Sequence, residues 1–251
     1  MVSRREHAER IVAKMKALYS QPDTTVLVEE SQFPQLDLAA YRQFRHALEA
    51  IGYRFLGDYE MINVSNTPDS VMARTMIRCM LSADGETCAA HYQAHPRMER
   101  VLSNLFVGVL NLRLIDAPLG FLRMLKPKLV YDFMSEVVDN HLTTSNAEAA
   151  GTISSPASVD RKFFAYDTSL DVVRSAHKAR LAAAVARAGS KPTVVATYAD
   201  WEAMQSRLRL QKAAHRAAVG WITRDELRAM SPGNQTIADE IFEEVQAIVS
   251  R

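Results

Sequence analysis

The dipeptide Asp84-Gly85 is the feature of this sequence that most constrains its fold. It follows VMARTMIRCML (71–81), a segment rich in residues that are compatible with strands, and it precedes CAAHYQAHP (88–96). Asp-Gly readily adopts the positive φ angles of a tight hairpin turn. The chain is therefore predicted to reverse direction here, so that the two flanking segments pair as antiparallel strands.

A second tight turn is predicted further along the chain, at Asp139-Asn140. The alternating segment LVYDFMSEVV (129–138) precedes it, and HLTTS (141–145) follows it. Asp and Asn tolerate the backbone angles of such a turn, although the signal is weaker than Asn-Gly. Together with the strand-like segments upstream, the two turns predict an antiparallel sheet of about four to five strands within residues 53–145.

Helical periodicity dominates the rest of the chain. The spacing of apolar residues and the positions of helix-stop residues predict four longer helices, at residues 37–52, 169–189, 196–220 and 236–250. Strands thus precede most of the helices instead of alternating with them. This segregation indicates an α+β fold, in which an antiparallel sheet packs with helices and is followed by a mostly helical C-terminal region.

A small, polar segment, NAEAAGTISSPAS (146–158), divides these two regions. Its richness in Ser, Ala and Gly predicts an exposed loop or linker. We therefore expect a helix and antiparallel-sheet region at residues 1–145 and a mostly helical region at 159–251. The same pattern is also compatible with one domain that contains a long loop.

Composition restricts the classes of function. The chain has 251 residues, of which 48% are hydrophobic and 24% charged, and its formal net charge is +1. No overall field favours nucleic acid or an anionic membrane. Basic residues cluster within 171–216, but the acidic final helix can neutralise them, so nucleic-acid binding is not predicted. The two cysteines, Cys79 and Cys88, suit a reducing compartment, and a cytoplasmic location is expected.

The segment CAAHYQAHP allows two interpretations. On a helix, Cys88, His91 and His95 would share one face and offer three zinc ligands with an open fourth position. On a strand, Cys88 would point to one face and the two histidines to the other, about 13 Å apart along the strand. The preceding turn and the restriction that Pro96 places on His95 favour the strand.

Two sets of histidines are candidate site residues. If His141 lies on a neighbouring strand, it can approach His91, and with His95 the three would form the site of a histidine-based hydrolase or metalloenzyme. His177 and His215 lie on the apolar stripes of two predicted helices, so both are expected to face inward as a buried polar pair. The simpler interpretation is that hydrogen bonds satisfy both of them in the core.

Two segments raise the alternative of membrane contact. The segment MVSRREHAERIVAKMKALYS (1–20) predicts an amphipathic helix with a basic polar face, and residues 118–128 mix large apolar side chains with Arg and Lys. The first segment equally predicts a surface helix that is docked through its apolar stripe. The apolar zone at 101–125 is interrupted by Arg113, Asp116 and Pro118, so it is not expected to span a bilayer.

Common nucleotide-binding and hydrolase motifs are absent from the sequence, including the P-loop, the Gly-x-Gly-x-x-Gly loop and the Gly-x-Ser-x-Gly elbow. The leading prediction is therefore a non-catalytic protein that binds a protein partner or a small ligand on a sheet and helix surface, without a cofactor. The alternatives are the histidine-based enzyme, with zinc as its metal, and a peripheral membrane protein.

Overall fold

The computed structural model describes residues 3–20, 24–62, 73–94, 128–148, 153–231 and 233–250. Within them the fold is α+β, with seven strands in one mixed sheet and six helices. The strands are β1 Thr25–Leu27, β2 Arg54–Met61, β3 Ile77–Leu81, β4 Cys88–Ala94, β5 Lys128–Val137, β6 Asn140–Ser145 and β7 Val159–Phe163. The helices are α1 Arg4–Ser20, α2 Leu38–Glu49, α3 Leu170–Ala188, α4 Tyr198–Ala218, α5 Arg224–Met230 and α6 Gln235–Val249.

The strand order in the sheet follows the order of the chain, from β1 to β7. Every neighbouring pair is antiparallel except β6 and β7, which are parallel. The prediction of a purely antiparallel sheet of four to five strands within 53–145 is therefore only partly correct. Five antiparallel strands lie there, but β1 and β7 extend the sheet on both sides. β1 has only three residues, and the β character of TTVLVEE (24–30) does not by itself identify β2 as the partner of this segment.

The predicted turn at Asp84-Gly85 is confirmed. Gly85 has a φ of +74°, which suits a residue without a Cβ. The backbone N–H of Ser82 donates to the carbonyl of Thr87 at 2.9 Å, and the Asp84 carboxylate accepts from the N–H of Glu86 at 3.0 Å. β3 and β4 consequently pair as predicted, with Leu81 opposite Cys88.

The second turn lies one residue earlier than predicted. β5 ends at Val137, β6 begins at Asn140, and these two residues pair. The turn is therefore Val138-Asp139, and Val138 adopts a φ of +57°. A β-branched residue rarely takes this conformation. The residue types at 139 and 140 therefore pointed to the wrong position.

Helices cover both faces of the sheet. On the face that we call the α3 face, Met80, Ala89 and Phe133 pack with α2 and α3. On the opposite α4 face, Leu81 and Cys88 pack with Trp201 and other residues of α4. Alternate residues of each strand point to opposite faces, so this sandwiching buries both sets of side chains.

The N-terminal helix docks on the C-terminal helices. Ala8 and Val12 of α1 are buried in a cluster with Leu227 of α5 and Val245 of α6. The apolar stripe predicted for this segment thus packs against protein in the structure. No helix in the described part of the chain is both long and apolar enough to cross a membrane. The 101–125 zone lies outside the described residues.

Elements on the two sides of 146–158 contact each other. β7 pairs with β6, and α3 packs on β5 and β6. Asn146 is buried, and its side chain bonds to the backbone N–H of Tyr131 and the carbonyls of Leu129 and Tyr166 at 2.7 to 3.0 Å. The division into regions at 1–145 and 159–251 stays a prediction.

Candidate functional site

Cys88 and His91 lie on one strand, β4, with their side chains on opposite faces of the sheet. This confirms the strand interpretation for residues 88–94. Cys88 belongs to the core of the α4 face, whereas His91 packs beside Tyr41 and Phe44 of α2. His95 lies outside the described residues. Among the residues that the structure describes, no group of three His, Cys, Asp or Glu side chains could hold a metal ion.

His91 is enclosed by aromatic rings. The ring centroids of Tyr41, Phe44 and Tyr131 lie 4.5, 5.0 and 5.2 Å from that of His91. Its Nδ1 is 2.9 Å from the carbonyl oxygen of Val130, so Nδ1 carries the proton and donates. Burial lowers the pKa of His91 to about 4. It is therefore a neutral core side chain at physiological pH.

His141 and His91 do not converge. On β5, Tyr131 is opposite His91 and Glu136 is opposite His141. Residues 131 and 136 of β5 are an odd number of positions apart, so their side chains point to opposite faces of the sheet. The two imidazoles therefore lie on opposite faces as well. His141 Nε2 is instead 3.3 Å from Glu136 Oε1, and burial lowers the pKa of His141 despite this carboxylate.

His177 and His215 also lie apart, because α3 and α4 cover opposite faces of the sheet. His177 is buried, with Nε2 2.9 Å from Ser135 Oγ and Nδ1 2.9 Å from Thr144 Oγ1. Burial lowers the pKa of His177 to about 3, so these bonds join neutral groups. His215 is only partly buried, and its Nε2 is 3.2 Å from Ser154 Oγ.

The α4 face of β5, β6 and β7 is unusually polar for a covered sheet surface. The register places three rows of residues across these strands. From one end to the other, the rows are Asp132, Ser145 and Phe163; Met134, Thr143 and Arg161; and Glu136, His141 and Val159. Buried polar side chains are costly unless they are paired, so a polar face beneath a helix indicates a candidate site.

One end of this polar face is anchored to α4. Arg207 donates to both oxygens of Glu136, at 2.8 Å from Nε and 2.6 Å from Nη2. Burial opposes ionisation of Glu136, but these bonds outweigh it, and the pKa of Glu136 is lowered. Further along, Gln205 Nε2 donates to Met134 Sδ at 3.4 Å. Side chains on two sides of α4 therefore hold the helix over the sheet.

A cleft with a volume of about 330 Å³ opens beside α4. Its α4 wall is formed by residues spaced as one stripe of a helix: Gln205, Leu208, Arg209 and Lys212. Tyr19 of α1 and Arg161 of β7 line the other sides. Among the described residues that line the cleft, three are cationic and none is acidic.

Ionisable groups around the cleft have pKa values that are shifted from their usual range. Burial lowers the pKa of Arg161, and the nearby Arg216 lowers it further. Burial also raises the pKa of Asp132 to about 7, an effect that Lys212 partly opposes. Arg161, Arg209 and Lys212 all take part in other interactions. The cleft is therefore distinguished by the positive charge of the residues that line it. Water screens charge less in a cleft than at an open surface.

Sequence reasoning did not find this cleft, although two of its components were visible. Asp132 and Glu136 are spaced i, i+4 within the predicted strand at 129–138, which places both carboxylates on one face, and basic residues cluster within 171–216. Nothing in the sequence indicated that β7 would place Arg161 beside them.

Comparison with known proteins adds no family to this description. No protein-family model matches the chain, and searches of curated proteins and of solved structures found no match.

Proposed function

We propose that this protein binds a small anionic ligand in the cleft that α4 forms with α1 and with Arg161 of β7, without carrying out catalysis. The observation that carries the proposal is the lining of this cleft, which combines three cations with no described acidic residue. A concave site in which polar groups stand beside apolar side chains is typical of small-molecule recognition.

The ligand is expected to have an apolar part beside its anionic group. Leu18 and Ile153 line the cleft together with Leu208, and Leu18 is 51% exposed. Arg161 Nη2 already donates to the carbonyl oxygen of Ile153, so the three cations of the cleft are expected to attract a carboxylate, sulfonate or phosphate mainly through their charge. An amphipathic anion would satisfy the charge and the apolar wall together.

The histidine-based hydrolase or metalloenzyme receives no support from the described residues, since His91 and His141 lie on opposite faces of the sheet. Membrane contact by the N-terminal helix receives little support, because Ala8 and Val12 pack against the C-terminal helices. A small-ligand protein is the function that the geometry favours.

Titration with 8-anilinonaphthalene-1-sulfonate, a small aromatic sulfonate that fluoresces in apolar sites, tests the proposal. We expect saturable binding by the folded protein, and we expect Arg209→Glu to weaken it about tenfold or more, which corresponds to about 1.4 kcal/mol. Arg187→Glu, an exposed charge reversal on α3, is the matched control and should bind as the wild type does. Equal affinity of the two variants would contradict the proposal.

A further inference from the structure

Tyr19 lines the candidate cleft, and the packing of α1 holds it there. It follows Val12 by seven residues, so both side chains lie on the face of α1 that packs against the C-terminal helices. The guanidinium carbon of Arg216 lies 5.9 Å from the centroid of the Tyr19 ring, within the range of a cation–π contact. Because Arg216 is buried and paired with Glu226, it gives the ring a fixed support at the wall of the cleft.

The hydroxyl of Tyr19 has no hydrogen-bond partner among the described residues, and it is accessible to solvent. The cations near it are already engaged. Arg161 donates to the carbonyl of Ile153 and Arg216 donates to that of Ser154, which ties both guanidinium groups to one short segment of the cleft wall. The other two cations of the lining take part in other interactions as well. The Tyr19 hydroxyl therefore offers the cleft a hydrogen-bonding group that the described part of the chain does not use.

This hydroxyl is suited to an anionic oxygen. Burial raises the pKa of Tyr19, so the phenol stays protonated and can donate. A hydrogen bond from a neutral O–H group to an anionic oxygen is shorter and stronger than one between two neutral groups. The positive charge of the lining attracts anions, but charge alone has no preferred direction. A single donor with a fixed position adds the direction that the charge lacks.

We infer that Tyr19 is a specificity-determining residue of the cleft, because its hydroxyl donates a hydrogen bond to an oxygen of the carboxylate, sulfonate or phosphate group of the ligand. This inference rests on the proposed function, and it narrows the ligand to an oxyanion. An anion without an oxygen acceptor is attracted by the same charge but is not held by this bond. The apolar side chains of the lining, such as Leu18 beside Tyr19, remain for the apolar part of the ligand.

Tyr19→Phe in the full chain tests the inference, because it removes the hydroxyl and keeps the ring. We expect this variant to bind 8-anilinonaphthalene-1-sulfonate about tenfold more weakly than the wild type, as for the loss of one hydrogen bond to a charged group. Its urea denaturation should be unchanged, because the hydroxyl has no partner in the described structure. Tyr53→Phe, at a half-buried tyrosine that packs on the α3 face, is the matched control and should bind as the wild type does. A Tyr19→Phe protein with wild-type affinity overturns the inference, and the proposed function stands if Arg209→Glu still weakens binding.

A second measurement observes the hydrogen bond itself. Tyrosine labelled with carbon-13 at Cζ gives one NMR signal for each of the eight tyrosines, and its position depends on the hydrogen bonding of the adjacent hydroxyl. Octane-1-sulfonate is the probe, because it has no aromatic ring that would shift these signals. We expect the Tyr19 signal, identified by its absence from Tyr19→Phe, to move as this sulfonate displaces the fluorescent one, and the Tyr53 signal to stay in place. A Tyr19 signal that does not move during displacement overturns the inference. Absence of binding by both sulfonates contradicts the proposed function, and the inference falls with it.

Discussion

Arg216 and Glu226 form a two-bonded ion pair in which both side chains are almost completely buried. Arg216 Nη1 donates to Glu226 Oε2 at 2.9 Å, and Nη2 donates to Oε1 at 2.8 Å. Their side chains are only 1% and 4% exposed. Glu226 also accepts bonds from the backbone N–H groups of Thr223 and Ser154. The pair thus ties α4 to α5 and to the segment that lines the cleft.

Removal of one member of this pair should destabilise the protein strongly. We expect Arg216→Met to lower the free energy of unfolding by about 3–5 kcal/mol, because it leaves the buried Glu226 charge uncompensated. Equilibrium urea denaturation measures the change. The matched control is Glu243→Gln, which breaks the exposed pair with Arg224 and should cost less than about 1 kcal/mol. Similar losses in both variants would contradict the assignment, and Arg216→Met/Glu226→Leu should recover part of the stability.

The neutral His177 should make stability depend on pH. Its pKa is about 3 in the folded protein because of burial and the neighbouring Arg180, and about 6.5 in the unfolded chain. As pH falls below 6.5, only the unfolded chain takes up this proton, so stability falls, by about 1.4 kcal/mol for each pH unit well below 6.5. His177→Gln should show a shallower loss between pH 7.0 and 5.0 in urea denaturation. Some loss of stability with falling pH should remain in this variant, because the pKa of His91 is also lowered in the folded protein.

A matched variant at another polar core position tests whether His177 itself carries this slope. Ser135→Ala removes one hydrogen-bond partner of the imidazole and should cost about 1–3 kcal/mol at pH 7. Because it leaves the histidine buried, the loss of stability between pH 7.0 and 5.0 should persist. A slope that is unchanged in His177→Gln would rule out this source of pH dependence.

Gly85 should tolerate substitution much less well than Gly189. Both have positive φ, +74° and +62°. A Cβ at Gly85 would lie 2.6 Å from the carbonyl oxygen of Val195, whereas a Cβ at Gly189 meets no atom within 4 Å. We expect Gly189→Ala to cost about 1 kcal/mol from backbone strain and Gly85→Ala about 3 kcal/mol or more. Thermal unfolding of the two variants measures the difference, and equal shifts would show that Val195 moves away freely.

The two cysteines should be unreactive while the protein is folded. Both are free and buried, and burial raises the pKa of Cys88 to about 12 and holds the pKa of Cys79 well above its usual value. The thiolate is the reactive form, so an aromatic disulfide reagent at pH 8 should label them only through unfolding. The labelling rate should therefore rise with urea in step with the unfolded fraction. Rapid labelling without denaturant would contradict the burial of these strands.

Local chemistry made part of the fold predictable. Asp84-Gly85 and the residues around it led to the correct pairing of β3 with β4 and to the strand at Cys88–Ala94, because a tight turn leaves few alternatives. The parallel pairing of β7 was not predictable, since the alternation of VDRKF does not identify a neighbour. The face of the sheet that a helix covers depends on how the chain connects it to the strands. The apolar stripes of the two helices therefore could not show that His177 and His215 lie on opposite faces of the sheet.

The cleft was beyond prediction for a related reason. Its lining combines Tyr19, Arg161 and Lys212, which come from three elements that are far apart in the chain. Each has an ordinary local context, and only the packing of α1 and α4 beside β7 brings them together. Asp132 is similar, because its alternation predicted a strand face but not the burial that raises its pKa.

The agreement between strand order and chain order has a consequence for how the protein folds. From β1 to β6 each strand pairs with the strand that precedes it in the chain, so these pairings can form one after another. The two shortest connections, between β3 and β4 and between β5 and β6, cost the least loop-closure entropy. The docking of α1 on α6 is different, because it joins opposite ends of the described chain and depends on α4 and α5 being in place. We therefore expect α1 to add last and to exchange its amide hydrogens sooner than the central strands.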